Sequence, residues 1–138
     1  MILLDTNVIS AVMLPTPVPE VLNWLNRQPR SSIWTTSITV AEISFGLQIM
    51  VHGRRRAALM TEFEGVLQDM GHRVAAFDTE AGYRAAELMS ARYKAGRPRD
   101  WRDTMIAAIA LAQHASLATR NTAYFEDAGV TLINPWKA

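Results

Sequence analysis

The amino-acid sequence predicts an α/β fold with a mainly parallel central sheet flanked by helices on both faces. Three observations carry that prediction. Short apolar or β-branched runs alternate along the chain with longer segments of helical periodicity. Several of those runs are followed closely by a residue suited to cap a helix, such as Asp5, Ser37 or Thr79. Finally, 138 residues with 49% hydrophobic content suffice for one buried core and not for two, so residues 1–138 are expected to form a single domain.

Ile2 to Leu4 reads as a short buried strand, and Asp5-Thr6-Asn7 as the turn and cap of a helix through about Met13. Pro15, Pro17 and Pro19 punctuate the next connection. A second helix follows, with Val18, Val21, Leu22 and Leu25 on one stripe; Trp24 opposite that stripe would form a patch able to receive a partner. Ser31 to Thr36 has strand composition. Ser37 or Thr39 can cap a third helix over roughly Ile38 to Val51. Arg54-Arg55-Arg56 opens a fourth, with Leu59, Phe63, Val66, Leu67 and Met70 in register. Val74 to Phe77 is the third candidate strand, and Thr79 caps an Ala-rich helix to about Ala95. Gly96 to Arg99 is a loop, Asp100 to His114 a helix, and Leu117 to Thr119 and Val130 to Ile133 two further strands.

Composition excludes several function classes. The absence of cysteine removes disulfides, thiolate zinc sites and cysteine nucleophiles together, and fits a cytoplasmic location. No basic segment precedes Ile2-Leu3-Leu4 and Asp5 ends the run, so no secretory signal is expected. The longest uncharged stretch, Thr104 to Thr119, is shorter than a bilayer span and contains Gln113, His114 and Ser116, so no membrane association is expected. Net charge is +1, which gives no strong nucleic-acid footprint. Nearly all basic residues are Arg, whose fork suits phosphate, although a GC-rich genome produces the same bias.

Three acids stand in unusual places. On a helix, Glu42 has Ile38, Phe45, Gly46 and Ile49 as neighbours, an apolar face on which an unpaired carboxylate is costly to bury. Asp103 opens a helix that is apolar almost all round, with Ala107 and Ala110 on its face. Asp5 lies at the C-terminal edge of the first strand, where open α/β sheets place ligands. Singly, Asp5 reads as a cap, Asp103 as a partner of the helix dipole, and Glu42 as one half of an ion pair with an Arg. Together they are three hard oxygen ligands suited to Mg²⁺ or Mn²⁺, the equipment of a phosphodiesterase.

Four stretches, MILLDTNVIS, TTSITVAEISFGL, DTMIAAIALA and LATRNTAYF with INPW, occur in an order and spacing that resembles the PIN-domain ribonucleases of the VapC toxin type. The likeness is greatest to the FitB and plasmid-stability branch, and it covers nearly the whole chain. The resemblance implies that Asp5, Glu42 and Asp103 form the acidic metal-binding and catalytic core, with Thr6 supporting it and Asn121 at its rim. It further implies an RNA substrate cut to 5′-phosphate and 3′-hydroxyl ends, a homodimer, and a cognate VapB-type antitoxin whose tail brings a basic residue to the carboxylates.

Relatives of this type often carry a fourth acid where Asn121 or Tyr124 stands; here both are neutral. One well-bound ion between Asp5 and Asp103 is therefore expected, with Asn121 orienting a water through its amide and Asp100 a possible substitute acid. Arg120, beside the site in TRN, is a candidate RNA phosphate contact. Arg54, Arg55 and Arg56 read as a solvated surface, the scattered His52, His72 and His114 have no metal spacing, and Trp24, Trp34, Trp101 and Trp136 suit core packing or an interface. Two rival functions remain: a catalytically weak binding module acting with its antitoxin in DNA-binding autoregulation, and phosphotransfer with Asp5 as nucleophile. The latter lacks a second acid two residues after Asp5 and a Lys in mid-chain.

Overall fold

The computed structural model describes residues 1–138. Five strands form one sheet: β1 (Ile2–Leu4), β2 (Ile33–Thr36), β3 (Val74–Ala75), β4 (Ser116–Ala118) and β5 (Leu132–Ile133). Their order across the sheet is β3-β2-β1-β4-β5, and every pairing is parallel. Ile2 is registered against Ile33 on one side and Ser116 on the other. Parallel neighbours need crossovers, and these are helical: α1 (Thr6–Met13) and α2 (Pro19–Asn26), then α3 (Ser37–Gln48) and α4 (Arg54–Asp69), then α5 (Thr79–Lys94) and α6 (Trp101–Gln113).

Because side chains alternate across a strand, the central strands feed two cores. Leu4, Ile33 and Ala118 pack with Val8, Ile9, Val21, Trp24, Ile43, Leu47 and Phe63 under α1 to α4. Leu3 and Leu117 face the opposite way and pack with Leu88, Ile106 and Ile109 under α5 and α6. Helices thus cover both faces, as the alternation of elements predicts. Strand β1 lies where the strand order reverses, so the chain just beyond it opens into the crevice typical of ligand sites.

The element boundaries differ from expectation in ways that have local causes. Arg30–Ser32 forms a 3-10 turn, so β2 begins only at Ile33. Thr36 caps α3: its hydroxyl accepts the Thr39 N–H at 3.1 Å, a role expected of Ser37 or Thr39. The Ser37 hydroxyl instead accepts the Phe77 N–H at 3.0 Å, a side-chain bond beyond the short edge strand β3. Asp78 rather than Thr79 caps α5. Trp24 is buried beside Val21 while Leu22 is exposed, so the expected partner patch on α2 does not exist. No helix is long and apolar enough to cross a membrane.

Candidate active site

Asp5 follows β1 directly, and its N–H donates to the Ala118 carbonyl at 2.9 Å, continuing the ladder by one residue. Its side chain does cap α1, accepting the Thr6 N–H at 2.8 Å. That role does not exhaust it. The second oxygen accepts the Thr119 hydroxyl at 2.7 Å and the Asn7 amide at 3.2 Å. Burial pushes the Asp5 carboxyl above its ordinary range, against the three hydrogen bonds that favour the charged form.

Glu42 reaches the same place by a different route from the one its sequence neighbours suggest. Thr39, Ile43 and Leu47 are the buried residues of α3. Phe45 and Ile49, which share a stripe with Glu42, are 64% and 68% exposed. The apolar stripe is therefore an outer face, and Glu42 sits at its border, half-buried. Its carboxylate accepts the Thr6 hydroxyl at 3.1 Å and lies 3.8 Å from the Arg102 guanidinium, a solvent-screened pair. Burial raises its pKa first; Thr6 and Arg102 oppose, and the charges of Asp5 and Asp103 raise it further.

Asp103, in the first turn of α6, is raised by burial and then by the charges of Asp5 and Asp100, with Arg102 and Arg92 opposing. Ala107 and Ala110 on its face are fully buried, so α6 packs closely behind it. Asp100 does not join the cluster. It caps α6 through the Arg102 N–H at 2.7 Å and pairs with the Arg102 side chain at 3.1 Å.

All six residues singled out in the sequence line one pocket of about 490 Å³: Asp5, Thr6, Glu42, Asp103, Arg120 and Asn121. Asn121 donates its backbone N–H to the Thr119 hydroxyl at 3.1 Å. Arg120 extends over the ring of Trp136, 5.1 Å from its centroid, and Trp136 lines the pocket as well. Arg54, Arg55 and Arg56 lie elsewhere; Arg56 bonds the Leu47 carbonyl at 2.9 Å, closing the α3–α4 corner. Sequence did not point to Thr119, Asn7, Arg102 or Trp136 as members of the site. Only Asn7 carried a usable signal, standing two residues after Asp5.

The donor set fits a hard divalent cation. It consists of carboxylate oxygens without thiolate or imidazole; each acid is partly desolvated, and Glu42 and Asp103 are further raised by the charges of neighbouring acids. The acids are neighbours rather than a closed cage: no group of three or more potential ligands is gathered around one point, Glu42 being turned to Thr6 and Arg102. Asp5, Asp103 and Glu42 are the acids of this pocket that could contribute oxygen ligands to an ion.

Comparison with known proteins adds four likenesses. The family described as PIN domain matches residues 2–130. The chain is 42% identical to plasmid stability protein StbB of Pseudomonas syringae pv. tomato, covering 100% of both chains. It is 41% identical to VapC ribonuclease Y4jK of Sinorhizobium fredii, covering 99% of each. Among solved structures it resembles FitAcB from Neisseria gonorrhoeae with a TM-score of 0.91 at 33% identity, over 100% of both chains.

Proposed function

Given that this chain belongs to the PIN-domain family, we propose that it is a metal-dependent endoribonuclease acting as the toxin of a toxin–antitoxin pair. One observation carries the reading: acids from positions 5, 42 and 103 share a pocket in which each is pushed toward protonation, an arrangement that costs stability and is relieved by a cation. Asp5 and Asp103 would hold Mg²⁺ or Mn²⁺, which supplies positive charge against the phosphate and makes water more acidic. Glu42 takes a proton from the attacking water, and the Thr6 hydroxyl fixes the carboxylate that does so. Asn121, neutral at the rim, orients water through its amide without adding charge. Arg120 contacts a phosphate of the RNA.

The whole of residues 1–138 works as one domain in this reading. A groove of about 850 Å³ between α1, α3 and α4 shares Thr6 and Glu42 with the site and is lined by Val12, Met13, Ile43 and Leu47. It suits the tail of a VapB-type antitoxin, whose basic residue would meet the same acids. The exposed Phe45 and Ile49 on α3 suit the expected homodimer.

Purified protein with total RNA in Mg²⁺, Mn²⁺ or EDTA, beside Asp5→Asn, tests the proposal. Discrete fragments that require metal, and that fall by about 10²-fold or more in Asp5→Asn while its circular dichroism is unchanged, are expected. Full activity of Asp5→Asn sinks the mechanism. No cleavage by folded, antitoxin-free protein favours the DNA-binding module, in keeping with the neutral Asn121.

A further inference from the structure

Hydrolysis needs the acids, yet a pocket of three carboxylates repels the polyanion it would cut. The nearest cation lining that pocket is Arg120, and it is held from two sides. Its backbone N–H donates to Asn7 Oδ1 at 3.1 Å, while the Asn7 Nδ2 donates to Asp5 Oδ2 at 3.2 Å. One amide side chain thus ties the arginine backbone to the first acid. Its guanidinium lies over the Trp136 ring, 5.1 Å from the centroid. Trp136 is itself held: its side chain packs against the core under α1 to α4, and its backbone N–H donates to Asn134 Oδ1 at 3.0 Å.

An exposed arginine normally loses much rotamer freedom when it binds, and the indole removes part of that loss beforehand. Stacking uses the guanidinium face and leaves its N–H edges free for the paired bonds that phosphate oxygens accept. With Arg120 over its ring, Trp136 is not a vacant platform for a base. We propose that Trp136 is a positioning residue that holds Arg120 at the pocket rim to grip a single-stranded RNA phosphate beside the one attacked, with Asn7 setting the distance from Asp5. This rests on the ribonuclease reading of the site.

The test is a double-mutant cycle in a Glu42→Gln background, which stops cleavage and leaves the Asp5–Asn7–Arg120 link in place. Binding of a fluorescent single-stranded oligoribonucleotide is measured over a series of salt concentrations, with circular dichroism on every variant. Arg120→Ala is expected to weaken binding about fivefold and to reduce the salt slope by about 0.7, the loss of one phosphate contact on a single strand. Trp136→Leu, which keeps apolar packing without a ring face, should move both quantities the same way. The double variant should be no worse than Arg120→Ala. Trp136→Met is the second variant if the Leu form does not fold.

A salt slope unchanged in a folded Trp136 variant, or effects of the two positions that simply add, overturns the proposal. Absence of RNA cleavage by the wild type with either metal, measured separately, overturns the ribonuclease reading and this inference with it. Cleavage by the wild type together with an unchanged slope overturns this inference alone.

Discussion

Helix α6 carries two neighbouring residues that look into opposite kinds of charge. Thr104 faces Arg92, which is 2% exposed. That guanidinium donates to Asp127 twice, at 2.9 and 2.8 Å, to the Thr104 hydroxyl at 3.0 Å and to the Tyr124 carbonyl at 3.0 Å. Hydrogen bonding to Arg92 holds Asp127 below the usual carboxylate range. Asp103, one residue earlier, belongs to a group of acids that are all held above it. The first constellation is closed, with its donors matched by acceptors. The second carries surplus negative charge and no buried cation. A matched buried charge fixes α6 against α5; an unmatched one leaves the protein something to bind.

The contrast breaks hardest at Arg92. Arg92→Ala removes the donor to Thr104 and Tyr124 and opens a cavity, and, with Asp127 left half-exposed, is expected to cost about 2–4 kcal/mol in urea unfolding. A loss below about 1 kcal/mol shows that the knot is not what secures the helix pair. Next in size is Asp103→Asn, whose two effects have opposite signs. RNA cleavage should fall about 10²-fold, while stability in EDTA should rise, because the desolvation and repulsion that raise the Asp103 pKa are removed with its charge. A variant destabilised without metal contradicts the picture of surplus charge.

The smallest effect is on pH dependence. A carboxyl that binds its proton more tightly in the folded chain than in the unfolded one makes stability fall as pH rises. Asp5, Glu42 and Asp103 are such groups, so stability in EDTA, and the melting temperature with it, should rise as pH drops from 7 toward the ordinary carboxylate range. Asp127 and Asp100 work in the other direction. Their contributions are present above the ordinary range and are lost as pH falls through their depressed values, so the trend reverses in stronger acid. Thermal melts across that span, with and without Mg²⁺, check both halves; a monotonic decline from pH 7 downward removes the raised acids from the account.

Much of the fold was legible because its signals are local. A three-residue apolar run ending at Asp5 is enough to mark β1, and the caps and periodic stripes mark each helix to within a few residues. Glu42 is more instructive. Its neighbours Phe45 and Ile49 suggest a buried face, but helical spacing cannot say which of two apolar stripes turns inward, and here Thr39, Ile43 and Leu47 do. The acid was found through a premise the structure reverses. Thr119, 114 residues from Asp5, and the Arg92 knot are invisible along the chain, since nothing local distinguishes a Thr or Arg that a parallel crossover will bring to an acid.

The central position of β1 has a consequence for the order in which the protein comes into being. The strand that carries the first acid is hydrogen-bonded on one side to β4, which begins only at Ser116. The third acid is residue 103, and the hydroxyl on Asp5 is residue 119. A growing chain that has not yet delivered β4 leaves one edge of β1 without its partner and the pocket without one wall. The pocket is therefore complete only once β4 has joined β1 and brought Thr119 to Asp5.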